Sequence, residues 1–135
     1  MDIADFFLKD RFAAVNGIKL VEVRRGYAKA SLVINADHLN AGGAVQGGAL
    51  FTLADFCFAA ASNSYGKLCF SIACNINFFK SAKVGEVVTA ESKELFMHNN
   101  LANFDVDICN AAGELLARFS ATGYRKSVTL PFEGL

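Results

Sequence analysis

One stretch constrains this chain more than any other: AVQGGALFTLADFCFAAAS, from Ala44 to Ser62. After the pair Gly47-Gly48 it is apolar on nearly every side of a helix, with Leu50, Phe51, Leu53, Phe56 and Phe58 separated by small Ala and Cys. A helix of that kind has no face to give to water and must be enclosed. The chain has 135 residues, room for one domain. The enclosure therefore has to come from the rest of the same chain.

That remainder reads as strands. LCFSIACNINFF alternates Phe70, Ile72, Cys74, Ile76 and Phe78 onto one face. GEVVTAESKELFM, LANFDVDIC and ELLARFSATGYRK follow, with turns at His98-Asn99-Asn100 and Ala112-Gly113. Upstream, KLVEVRRGYAKASLVI divides into two short strands around Arg25-Gly26. Residues 2–15 place Ile3, Phe6, Phe7, Phe12 and Val15 at helical spacing, and Asn16-Gly17 ends the run. The tail holds the lone proline, Pro131, and reads as weakly ordered. Consecutive strands with short turns make an antiparallel sheet whose apolar face needs a cover. The expected fold is α+β: a curved antiparallel sheet wrapped around one long buried helix. It is a single domain over 1–135, with its core at about 15–126 and an N-terminal helix at about 2–15.

Composition narrows the function. The chain is 53% hydrophobic with 13 Phe, more than a small monomer can hide, so apolar surface is expected between copies. Basic and acidic residues balance at 13 each with no like-charged block, which argues against nucleic acid. Asp2 and Asp5 stand where a signal peptide carries cations. No apolar run approaches the roughly 20 residues that span a bilayer. The expectation is a cytoplasmic protein with no membrane partner. Cys57, Cys69, Cys74 and Cys109 form no CxxC pair, and His38 and His98 lie far apart. Free, mostly buried thiols and no metal site are expected.

The glycines fall where the helix begins. Backbone N–H groups there lack internal partners and the helix dipole adds positive charge. Without side chains, Gly47 and Gly48 either let a ligand reach those donors or merely permit a tight turn. Asp55 is costlier, because a carboxylate inside an apolar helix needs partners or a higher pKa. It belongs to a polar network or to chemistry. Eight residues separate Gly47 from Asp55, roughly 12 Å along one helix. One chain cannot bring both to a single carbonyl. Two antiparallel helices across a two-fold axis would set Asp55 of one chain against Gly47 of the other.

The stretch LNAGGAVQGGALFTLADFCFAAAS, with FSIACNINFFKSAKVGEVVTAES and GELLARFSATGY after it, resembles the hotdog-fold acyl-CoA thioesterases of the PaaI-like group. Their pattern is an Asn, a His-Gly-Gly at the helix start and an Asp eight residues after the first Gly. The resemblance covers about residues 15–126. It implies a homodimer, either alone or paired with a second dimer into a tetramer, that hydrolyses an acyl-CoA. Coenzyme A is then part of the substrate and no separate cofactor is needed. It further implies that the Gly47 N–H polarises the thioester carbonyl and that Asp55 of the partner chain is nucleophile or general base. Asn40, seven residues before Gly47, would orient water or the leaving thiolate, and Ser71 would hold the water. Gln46 and Gly48 would border the bound substrate.

Two positions depart from the pattern. Gln46 stands where the family usually has His, and Gly42 where many members have another. Gln hydrogen-bonds but does not titrate near neutrality. Two other functions fit the same fold: an acyl-CoA binder without turnover, and an acyl-thioester dehydratase or hydratase, which relies on a helix His that this chain lacks. Lys80, Lys83, Arg118, Arg125 and Lys126 either reach coenzyme A phosphates or are simply solvated. His38 reads as a solvated loop residue and Cys57 as packing.

Overall fold

The computed structural model of the chain describes every residue except Gly134. Two short helices, α1 (Ile3–Phe7) and α2 (Arg11–Val15), precede β1 (Lys19–Arg24) and β2 (Tyr27–Val33). The long helix α3 (Gly47–Asn63) follows, then β3 (Lys67–Phe78), β4 (Val87–Met97), β5 (Leu101–Cys109) and β6 (Leu115–Thr129). The expected single N-terminal helix is two because Asp10 interrupts it. The Asp10 carboxylate accepts from the Ala13 N–H at 2.9 Å and so starts a new helix.

The six strands form one antiparallel sheet in the order β1-β2-β4-β5-β6-β3. α3 touches all six. A flat sheet of six strands would be about 24 Å wide, against a helix about 10 Å across. Only a sheet curled around the helix can meet it with every strand. The inner face is made for close approach: Ala28, Ala30 and Ala90 are wholly buried opposite Ala54, Cys57 and Ala61. The Cys57 thiol donates to the Ala28 carbonyl at 3.2 Å. Burial, and after it the charge of Glu91, pushes that thiol up to about 12, so it is inert packing. Phe104, Phe119 and Phe58 fill the wider half, with Phe58 edge-on to Phe104.

Three expectations need correction. The alternation in β3 is broken by a bulge between Ser71 and Ala73. Phe70 pairs with Tyr124 on the outer face, while Cys74, Ile76 and Phe78 pair with the inward Ala121, Phe119 and Ala117. Phe70 therefore does not share a face with the other three, and Ile72 is the extra residue of the bulge, without a partner in β6. The tail is packed: Leu130 and Phe132 are buried, the Leu130 N–H donates to the Gly66 carbonyl, and Phe132 lies 5.4 Å from Phe6. His38 is only 3% exposed. Its Nδ1 accepts from the Asn35 N–H, and its Nε2 lies 3.0 Å from the Asn16 carbonyl. It clamps the loop ahead of α3 to the end of α2. Of the thiols, Cys57 and Cys69 are buried and Cys74 is exposed. No described helix is long and apolar enough to cross a membrane.

Candidate active site

The loop before α3 is folded by the side chain of Asn40. Its Oδ1 accepts from the Gly42 N–H at 2.9 Å and the Ala44 N–H at 3.1 Å. Its carbonyl accepts from the Gly43 N–H, and Leu39 bridges to Val45. The Asn40 oxygen is thus used in shaping the loop, which leaves the amide NH2 to turn outward. Gln46 is the helix cap: its Oε1 accepts from the Gly48 N–H at 3.0 Å. Of the two glycine donors, Gly48 is therefore occupied. Among the described residues no acceptor meets the Gly47 N–H.

Gly47 is glycine for a steric reason. A Cβ there would stand 2.9 Å from Phe78 Cζ and 3.3 Å from Cε1 and Cε2. The ring of Phe78, 51% exposed at the end of β3, lies on the first turn of the helix. Phe78, Phe79, Val45 and Leu50 wall an open cavity of about 470 Å³ beside Gly47. The sequence carried no signal for this placement of Phe78. It follows from the bulge, which turns Phe78 inward.

Asp55 lies two turns further along. It is not in the most enclosed part of α3: Gly48, Thr52, Asp55 and Ala59 make the least covered stripe of the helix. β3 and the N-terminal helices flank that stripe. Partial burial raises the Asp55 carboxyl above its usual pKa, and the nearby charge of Asp10 raises it further. The Cys74 thiol is raised by burial; a hydrogen bond from Ser71 opposes this and the charge of Asp55 adds to it. Ser71, Cys74 and Asp55 are thereby one neighbourhood. Asp10, which sequence reasoning missed, borders it from α2 and lines an apolar cavity of about 480 Å³ with Phe7, Leu20 and Phe56.

The candidate residues therefore fall into two groups. Asn40, Gln46, Gly47 and Gly48 gather at the helix start, and Asp55 lies two turns away, where Cys74 feels both its charge and the Ser71 hydroxyl. One chain does not bring these groups together.

The sequence model of the Thioesterase superfamily matches residues 42–117. A protein of Archaeoglobus fulgidus named as an esterase is 37% identical over 130 residues, 96% of this chain and 84% of that one. The acyl-coenzyme A thioesterase PaaI of Escherichia coli is 30% identical over 124 residues, 92% of this chain and 89% of that one. The solved structure of the E. coli PaaI protein from the phenylacetic acid degradation operon superposes with a TM-score of 0.90 at 28% identity. That match covers 93% of this chain and 91% of that one.

Proposed function

The chain belongs to the thioesterase superfamily as a PaaI-like, hotdog-fold thioester hydrolase, and from that premise we propose that it hydrolyses acyl-CoA at two identical sites, each shared between two copies. The observation that carries this reading is the division of the site: an unpartnered Gly47 N–H at a helix start, and a carboxylate of raised pKa two turns away. The free edge of β3 supports the pairing. It offers a row of unpaired backbone groups with Ile72 and Phe78 exposed beside it, an edge that proteins ordinarily cover. The homologous E. coli protein is named for acyl-coenzyme A. The cavity beside Gly47 is of a size and apolarity that suit an aryl or a short- to medium-chain acyl group.

The thioester carbonyl oxygen accepts the Gly47 N–H of one copy, and the positive end of α3 stabilises charge as it develops there. Asp55 of the other copy, ionised, removes a proton from water as the water oxygen attacks the carbonyl carbon. The tetrahedral intermediate collapses, the C–S bond breaks, and the thiolate leaves with the proton from Asp55. The alternative is direct attack by Asp55, which forms an anhydride that water then opens. Oxygen isotope appearing in Asp55 after one turnover separates the two. Asn40, through its free amide, positions the water or thiolate. Ser71 holds the water beside Asp55, and Gln46 keeps Gly48 capped at the site's rim.

One observation favours a second reading, binding without turnover: Gln46 is committed to the cap and offers no titratable group where the family usually has His. Thiol release from aryl-, short-, medium- and long-chain acyl-CoAs decides between them, comparing the native protein with Asp55→Asn. Hydrolysis expects release that falls by about 10²–10⁴ in the folded variant. Tight acyl-CoA binding with no release from any substrate refutes it.

A further inference from the structure

The basic residues near the strand ends part company in the structure. Lys80 is paired with Glu114, and Arg118 grips Asp107 through Nε at 2.7 Å and Nη2 at 3.1 Å. Arg125 and Lys126 have no carboxylate partner among the described residues. Together with Lys67 they line a hollow of about 290 Å³ at the opposite end of α3 from Gly47, completed by Asn99, Asn100 and Ser127. Three cations and three neutral polar residues, with no acid among them, are unusual in a chain of zero net charge. We propose that this hollow binds the phosphate groups of the substrate's coenzyme A, an assignment that rests on the acyl-CoA reading above.

The hollow is built rather than incidental. Arg125 is held in place from several sides: Nη1 donates to the His98 carbonyl at 2.9 Å, and its backbone N–H donates to the Asn100 carbonyl at 2.8 Å. Its guanidinium lies 5.4 Å from the centre of the Tyr65 ring. The Tyr65 hydroxyl in turn donates to the Glu94 carboxylate. Arg125 Nε is buried and has no acceptor. A buried guanidinium N–H ordinarily finds a partner, and an anion seated in the hollow would supply one. The His98 ring also fixes the Asn99-Asn100 turn, its Nδ1 accepting from the N–H groups of Asn100 and Leu101. Fixed donors of this kind suit a phosphate, which accepts from several directions.

Position supports the same ligand. Lys67 begins β3 and Phe78, lying over Gly47, ends it. When two copies pair antiparallel along this edge, the hollow of one lies at the same end of the pair as the Gly47 end of the other's helix. About 23 Å of strand separates Lys67 from Cys74, whose thiol feels the charge of Asp55. That is a span for an extended pantetheine arm, with the thioester at one end and the phosphates at the other.

The test compares the native dimer with Lys67→Gln/Lys126→Gln, two exposed residues outside the catalytic machinery, and with Arg125→Gln. Each is assayed on an acyl-CoA and on the matching acyl-pantetheine, which lacks phosphate. The expected result is a KM for acyl-CoA raised about tenfold in the lysine double variant with kcat kept, and no change on acyl-pantetheine. Raising salt should lift the native KM for acyl-CoA and lift the variant's less. Titration calorimetry with adenosine 3′,5′-diphosphate and with inorganic phosphate reads binding without catalysis. Equal shifts on both substrates, or unchanged binding of the diphosphate in the variants, overturn the assignment. Inorganic phosphate binding as tightly as the diphosphate, with KM unmoved, also overturns it and leaves a general anion site. If no thioester is hydrolysed but the diphosphate binds the native protein and not the variants, the hollow stands and the hydrolase reading falls.

Discussion

Replacing Gly47 by Ala separates the chemistry of the helix start from its packing. The added Cβ would stand 2.9 Å from Phe78 Cζ, where carbon atoms prefer about 3.5–4.0 Å. The ring tip must therefore retreat by about 0.6–1 Å. It can do so, because the contact is with the far end of a half-exposed side chain. Alanine is also the better helix former, by up to about 1 kcal/mol in a helix interior and less at the first position. The two effects oppose each other, so stability should move by less than about 1 kcal/mol and Tm by no more than about 4 °C. The rate should respond differently. An oxyanion donor works only within about 2.7–3.1 Å of the oxygen, and misplacement by about 1 Å costs about a hundredfold. We expect kcat/KM to fall about a hundredfold while thermal unfolding barely shifts. Adding Phe78→Ala to that variant asks which atom is responsible. Recovery of rate blames the displaced ring, and no recovery blames the methyl group beside the N–H. Activity within threefold of native in Gly47→Ala would refute the role given to this donor. A Tm loss beyond 8 °C would show that the contact with Phe78 holds the fold instead.

The ionised form of Asp55 is the working one in either mechanism, so activity should be lost as pH falls through a pKa above the ordinary carboxylate value. Asp10→Asn keeps the cap of α2 but removes the like charge, so the acid limb of the kcat/KM profile should move to lower pH; an unmoved limb would deny the coupling. In Gly123→Ala the new methyl would lie 2.7 Å from Cys69 Sγ and 2.9 Å from Phe58 Cζ inside the core. Denaturant unfolding should show a loss of about 1–3 kcal/mol, and an unchanged midpoint would mean that this wall yields freely. Phe132→Ala should cost about 3 kcal/mol if the tail is part of the core, and almost nothing if it is not.

Much of the architecture is legible in the chain because its signals are redundant. The all-round apolar run fixes α3 and demands enclosure, and the turns at Gly26, His98–Asn100 and Gly113 divide the strands where the structure divides them. The features that escaped depend on one atom or one extra residue. A bulge adds a residue with no mark in the alternation, which is why Phe70 and Phe78 seemed to share a face. His38 looks like any loop histidine until the Asn16 carbonyl and the Asn35 N–H are seen to meet its ring. In the candidate site, Gly47, Gln46 and Asp55 stand out by type and spacing. Asp10 and Phe78 do not, since each reaches the site through folding over a long stretch of chain. The division of Gly48 and Gly47 into capped and free donors likewise rests on one side-chain rotamer.

The strand order also sets a schedule for the growing polypeptide. β3 is made directly after α3, yet among the described residues its one partner strand is β6, which begins 37 residues after β3 ends. Until β6 emerges from the ribosome, β3 has both sides open, and α3 lacks part of the sheet that encloses it. Phe132 must then find Phe6, 126 residues earlier in the chain. Contacts so distant in sequence form late and slowly. The nascent chain thus keeps its most apolar segments uncovered until β6 has been made, and that interval is where a chaperone or a second nascent copy has its opportunity.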